Sequence, residues 1–464
     1  MYDGTLDLGV RSAPWRAELR ATLALAVPLV ATQLAQIAIL TTDVVMMGWL
    51  GPKALAAGAL GTNLFFVLST FCMGILLGVA PMMAQAIGRK RRYMHEIRRS
   101  VRQGLWVMVA LGLPGMAVIW HTSDVLLLLG QDPENARAAG DYARALVWGF
   151  VPALGFMLLR SFMAALERPR PALAVMILTF VLNAAGAYVL MFGKLGFPAY
   201  GLVGAGIASA VAHAFSFAAM LCIVLLDRRF RRFHILGRFW RADWRRFGEI
   251  FRIGLPIGAI LLLETGLFSG ALYLMGLIGT AELAAHQIAI QVASTSFMVP
   301  LGIGQAATVR VGLFAGAGDA DGVSRAGWTA LGLGIAFMAA MGVVMWSMPI
   351  TLVGLFLDLD RAESAPVIAL AVEFLAFAAL FQVVDGAQTI AIGALRGLKD
   401  TRVPAILAGL GYWAIGFPVA LALAFGAGMG GAGVWAGLAL GLTTVAALQV
   451  WRFTRRERLG LVPG

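Results

Sequence analysis

Hydrophobic positions in this chain come in long blocks, not in the short alternations of a half-exposed strand or the one-sided stripes of a surface helix. Twelve blocks stand out, at about 22–49, 55–87, 101–121, 139–160, 172–192, 202–226, 253–277, 284–309, 327–355, 366–394, 403–425 and 431–451. Each has about twenty or more residues, enough to cross a hydrocarbon core of about 30 Å. The second, eighth and tenth are long, as tilted or kinked helices would be. The pattern predicts an all-α integral membrane protein of about twelve transmembrane helices.

The blocks repeat. Sliding the sequence by 228 residues places Pro28 on Pro256, Met47 on Met275, Gly48 on Gly276, Gly51 on Gly279 and Gly74 on Gly302. Around these, Met-Gly-Trp-Leu-Gly-Pro-Lys-Ala-Leu-Ala-Ala recurs as Met-Gly-Leu-Ile-Gly-Thr-Ala-Glu-Leu-Ala-Ala. Each half holds six spans, an even number, so both enter the membrane with the same orientation. Two pseudo-symmetric six-helix bundles follow, a frame in which substrate sites are expected between the halves. The predicted organisation is an N-lobe over 1–226, a basic cytoplasmic linker over 227–252, and a C-lobe with a basic tail over 253–464.

Composition agrees. With 60% hydrophobic and 13% charged residues, the chain carries roughly half the charge of a soluble domain. The formal charge of +12 would suggest nucleic acid were it not for its placement. If the N-terminus is cytoplasmic, all but five of the 36 Lys and Arg fall on that side, the exceptions being Lys53, Arg137, Arg144, Lys194 and Arg361. That asymmetry is the positive-inside signature. It puts both termini in the cytoplasm, explains the basic balance by topology and contact with anionic membrane lipids, and argues against a nucleic-acid partner. Cys72 and Cys222 lie within apolar blocks and suggest neither a disulfide nor a metal site.

Three carboxylates remain deep inside spans: Asp43 in the first, Glu264 in the seventh and Asp385 in the tenth. Such a group costs on the order of 3 kcal/mol at the bilayer centre, so it is expected to face an internal cavity and carry a proton or cation. No Lys or Arg falls at mid-span to neutralise them. Amides accompany them at helical spacing: Gln33 and Gln36 before Asp43, Gln382 and Gln388 around Asp385, Gln287 and Gln291 in span eight, and Asn183 in span five. These polar stripes read as cavity linings. Under the repeat, Glu264 matches Gln36 and Asp43 matches Ala271, so the halves share a scaffold but not their titratable groups. His213 and His286 read as packing residues.

No P-loop, HExxH pair, nucleophile elbow or dinucleotide fingerprint occurs, and five scattered histidines offer no catalytic cluster, so neither an enzyme nor a cofactor is expected. Transport would then draw on an ion gradient. Four segments carry a resemblance over essentially the whole length: Thr42-Asp43-Val44-Val45-Met46-Met47-Gly48, Leu129-Gly130-Gln131-Asp132-Pro133-Glu134, Ala284-Ala285-His286-Gln287 and Ala394-Leu395-Arg396-Gly397-Leu398-Lys399-Asp400. In this order, on twelve spans, the chain resembles the multidrug and toxic compound extrusion (MATE) family, its NorM-like branch most closely.

The resemblance implies an antiporter of a bacterial inner membrane that exports small organic, often cationic compounds in exchange for Na⁺ or H⁺. It implies Asp43 as an N-lobe carboxylate with Asn183 and Ser209 as polar neighbours, and Glu264 with Asp385 as a C-lobe pair able to hold Na⁺. The chain departs from the pattern at Ala187, where a second Asn or Asp is expected one turn after Asn183. Na⁺ needs several hard oxygen ligands and a proton only one carboxylate, so the departure favours a proton at Asp43. A monomer is the expected state. The rival reading, a flippase for a lipid-linked precursor on the same scaffold, would want cationic side chains in its cavity.

Overall fold

A computed structural model describes residues 15–359, 361 and 364–462. The N-terminal stretch assigned to the cytoplasm before Trp15, and the last two residues of the tail, lie outside the described residues. Twelve helices among those described are long and apolar enough to span a membrane, and no strand occurs among them. They are α1 (Trp15–Leu50), α2 (Pro52–Gly88), α3 (Tyr93–Trp120), α4 (Pro133–Ala165), α5 (Arg170–Phe192), α6 (Gly201–Leu226), α7 (Trp244–Ile278), α8 (Thr280–Ala317), α9 (Ala320–Ser347), α10 (Ala365–Gly397), α11 (Arg402–Gly426) and α12 (Gly430–Thr454).

The helix ends follow local chemistry that hydropathy does not register. The predicted span at 139–160 begins at Pro133 instead, because Asp132 caps the helix, accepting from the N–H groups of Glu134 and Asn135 at 3.0 Å each, with Pro133 in the first turn. Asp319 does the same for α9, accepting from Gly322 N at 2.7 Å. The span read as 327–355 ends early, since α9 stops at Ser347 and a short helix restarts at Pro349, where the missing N–H breaks the ladder. α11 is not a plain α-helix: Leu410–Gly416 and Ala422–Gly426 wind as π-helix.

By packing the chain forms two compact units. One comprises Ala31–Ile87 and Arg91–Gly258; the other comprises residues 15–30, Gly88–Lys90 and residues 259–462. The first thus holds most of α1 and α2, all of α3 to α6, the linker and the first part of α7. The second holds the start of α1, the rest of α7, and α8 to α12. Both divided helices split just past their prolines, Pro28 and Pro256, and the two breaks lie one repeat apart. Each packing unit therefore borrows the opening turns of a helix from the other sequence half.

Matched close contacts hold those turns. In the first unit a Cβ on Gly74 of α2 would strike the backbone of Gly258 in α7; in the second, a Cβ on Gly302 of α8 would strike the backbone of Val30 in α1. Gly74 pairs with Gly302 under the repeat, and Val30 with Gly258. Small residues let helix backbones meet where lipid supplies no hydrophobic drive. The core of the second unit gathers Phe374, Phe381, Trp435 and Leu442 around α10 and α12; Met46, Met47, Tyr142 and Met191 form a smaller cluster in the first.

Candidate functional site

Among the described residues, each unit contains a buried carboxylate centre with no cationic side chain paired to it. In the first unit, Asp43 of α1 accepts from Asn183 Nδ2 of α5 at 2.6 Å on one oxygen and from Ser209 Oγ of α6 at 3.0 Å on the other. All three residues are buried. Asn183 Oδ1, facing away from that bond, has no hydrogen-bond partner, so a buried acceptor stands spare beside the carboxylate. Ala187, one turn along α5, packs with Met46, Met47 and Met191. Where the resemblance leads one to expect a further oxygen ligand, this chain has hydrocarbon.

In the second unit, Gln388 of α10 joins the two carboxylates. Its Nε2 donates to Asp385 at 2.9 Å and to Glu264 of α7 at 3.4 Å, one amide hydrogen for each. Its Oε1 accepts from the Tyr412 hydroxyl at 2.6 Å, which fixes which end of the amide faces the acids. Asp385, Gln388 and Tyr412 are buried and Glu264 is half-buried. Tyr412 was not among the residues singled out from the sequence. It lies in the π-helical turn Leu410–Gly416, a distortion frequent at functional sites, and the nearest sequence signal is the glycine density of Gly409, Gly411 and Gly416.

Neither centre has a cationic side chain in ion-pair contact among the described residues. The donors are amides and hydroxyls, which stabilise a carboxylate without neutralising it. Hard oxygen donors suit a proton or a small cation such as Na⁺. For Na⁺, Glu264 and Asp385 each offer a carboxylate, while Gln388 in this geometry presents N–H, not oxygen.

The remaining polar positions divide. Gln382 is buried one turn before Asp385, with Nε2 3.6 Å from Met345 Sδ and Oε1 unpartnered. Gln287 and Gln291 are exposed, one turn apart on α8. Gln36 is exposed too and does not join Asp43, because seven residues separate the two along α1 by about 10 Å. Gln33 meets a guanidinium: Arg160, only 2% exposed, donates to its Oε1 at 2.5 Å. The sequence places no Lys or Arg at mid-span and leaves Arg160 at the last position of the fourth span, on the cytoplasmic side; the structure buries it instead. Arg160 sits close enough to the end of α4 to escape a hydropathy reading, yet its head lies inside the bundle.

A family model described as MatE matches residues 28–189 and 256–422, once in each half of the repeat. The chain belongs to the MATE family. Its MATE relatives include a probable multidrug resistance protein NorM of Mesorhizobium japonicum, 52% identical with 98% of both chains covered, and the multidrug resistance protein NorM of Burkholderia vietnamiensis, 41% identical with 93% of both covered. Solved MATE structures share the fold. The eukaryotic transporter AtDTX14 aligns with a TM-score of 0.82 at 21% identity, covering 97% of this chain and all of its own. A multidrug resistance MATE transporter in an outward-facing conformation aligns at 0.86 and 18% identity, covering 96% and 97%. The protein is a multi-pass membrane transporter of this family, not an enzyme.

Proposed function

We propose that this MATE protein is a secondary antiporter that expels small organic, often cationic compounds in exchange for H⁺ or Na⁺. One observation carries the reading: two buried carboxylates, Asp43 and Asp385, and the half-buried Glu264 are held by amide and hydroxyl donors and, among the described residues, by no Arg or Lys. A charge buried at this cost without a fixed partner is suited to a mobile one, and a coupling ion and a cationic substrate can then compete for it. The NorM relatives, named for multidrug resistance, support the substrate class.

The two centres differ in what they suit. Asp43 has two neutral donors, one spare amide oxygen and an apolar flank at Ala187, which favours a proton. Glu264 and Asp385 share one amide, so two acids face each other across a single NH₂ group. A proton or Na⁺ relieves that crowding, and Gln388 would turn its oxygen inward to complete a Na⁺ shell. The basic asymmetry supports both termini in the cytoplasm, and the reading takes the chain as a monomer in a bacterial inner membrane.

Efflux of ethidium from proteoliposomes, under separately imposed pH and Na⁺ gradients, tests the proposal. Efflux driven by pH and lost in Asp43→Asn assigns coupling to the first unit. Efflux driven by Na⁺ and lost in Asp385→Asn assigns it to the second. No efflux under either gradient overturns the antiport reading.

A further inference from the structure

The segment between α6 and α7 is not a slack tether. Asp227 caps a single turn, Arg228–Arg231, accepting from Arg229 N at 2.8 Å. The chain then folds back with Phe230, Phe233 and Ile235 buried, the ring of Phe233 edge-on to Phe162 at 5.5 Å. Three side chains of α3 fasten its backbone: Arg98 donates to the Phe233 carbonyl at 2.9 Å, Arg102 to that of Arg238 at 3.1 Å, and Trp106 to that of Phe239 at 3.1 Å. One face of the linker is therefore fixed to the bundle.

The acids of this stretch are all committed. Asp227 caps its turn, Asp243 pairs with Arg99 at 2.6 Å, and Glu249 pairs with Arg246 at 3.0 Å. Away from those bonds, Arg228, Arg229, Arg231, Arg238, Arg241 and Arg245 are all exposed, and none is in an ion pair with a described carboxylate. Trp240 and Trp244 of the same stretch are 80% and 70% exposed. The segment starts and ends at membrane-spanning helices, so this stretch lies at the level of the bilayer surface.

We propose that the outward face of residues 228–245 is a docking surface for anionic phospholipid headgroups of the surrounding bilayer. Guanidinium groups bind phosphate bidentately, tryptophan prefers the headgroup layer, and basic clusters beside a spanning helix are drawn to anionic lipid. The overall basic balance leads one to expect lipid contact; the fold assigns it one surface by turning every acid inward or into a cap. The inference does not rest on the transport reading.

The test uses the full chain in phosphatidylcholine vesicles containing phosphatidylglycerol, with bromine placed on one lipid or the other to quench nearby indoles. Subtracting the signal of Trp240→Phe/Trp244→Phe isolates the two linker tryptophans. They are expected to be quenched more by brominated phosphatidylglycerol than by brominated phosphatidylcholine. The excess should vanish in Arg238→Gln/Arg241→Gln/Arg245→Gln, whose altered side chains hold no internal bond. Each arginine near an anionic surface changes association by about fivefold, so losing three removes about two orders of magnitude of preference. Equal quenching by the two lipids in the unaltered protein, or an excess that survives the arginine changes, overturns the proposal.

Discussion

Glu18, at the start of α1, is fully buried, and Arg310 of α8 holds both its carboxylate oxygens, through Nε at 2.9 Å and Nη2 at 2.5 Å. Thr22 adds a hydroxyl at 3.3 Å. One repeat later the matching position is Arg246, at the start of α7, paired with Glu96 of α3 and with Glu249 at 3.0 Å. The halves use the same place for the same purpose with the charges reversed. Each pair secures the opening turns of the helix that its packing unit borrows.

Breaking such a pair from one side should cost more than removing it. Arg310→Met strands a buried carboxylate, and a loss of about 3–5 kcal/mol is expected. Glu18→Gln/Arg310→Met removes both charges and should recover a large part of that loss. Thermal unfolding in detergent of the two single variants and the double variant checks it. Additive losses would mean that the two charges do not stabilise one another.

Tyr412→Phe removes one hydroxyl from Gln388 and leaves packing almost unchanged. Without it the amide is free to turn, and Asp385 and Glu264 lose a donor held in a fixed direction. A neutral hydrogen bond is worth about 0.5–1.5 kcal/mol, so the apparent affinity for the coupling ion should change by about two- to twelvefold. Efflux rate against ion concentration measures it, and maximal rate should move less than the concentration dependence.

This centre marks the limit of what the chain discloses before it folds. Asp43, Glu264 and Asp385 are conspicuous as acids in apolar blocks, and the helix count follows from block lengths. The partners are harder, because tertiary packing decides which neighbour of an acid meets it. Gln36 shares a face with Asp43 on paper but lies two turns away, whereas Asn183 and Ser209 arrive from other helices. Tyr412 depends on a π-helical turn that leaves no periodic trace. Arg160 was masked by its position near a helix end, although its guanidinium folds inward to Gln33. Caps at Asp132 and Asp319 shifted helix starts for the same reason: a side-chain cap, not hydropathy, sets the boundary.

The matched glycine contacts predict a matched pair of defects. Gly74→Val would push against the Gly258 backbone and Gly302→Val against that of Val30. Backbone cannot yield as a flexible side chain does, so each should lose about 1–3 kcal/mol or more. Gly332→Val on α9, where an added Cβ meets nothing within 4 Å, is the control and should melt near the unaltered protein. The unfolding midpoints of the three variants decide the matter.

Asp243, just before α7, gives a pH-dependent prediction from a group outside the spans. Burial alone would raise its pKa, but the hydrogen bond from Arg99 at 2.6 Å, the Arg246 N–H at 3.2 Å and the charges of both arginines outweigh it. The carboxyl is held below its ordinary value of 3.8. A group whose folded pKa is depressed stabilises the fold above its unfolded value and loses that contribution as pH falls through the folded one. Asp243→Asn should therefore lower the unfolding midpoint at about pH 7, and the gap from the unaltered protein should narrow toward about pH 3. Because Asp243 anchors the linker to α3, hydrogen exchange in residues 233–243 should rise in the variant at neutral pH and converge with the unaltered protein in acid. A gap that stayed constant across that range would show that the side chain acts through packing and not through its charge.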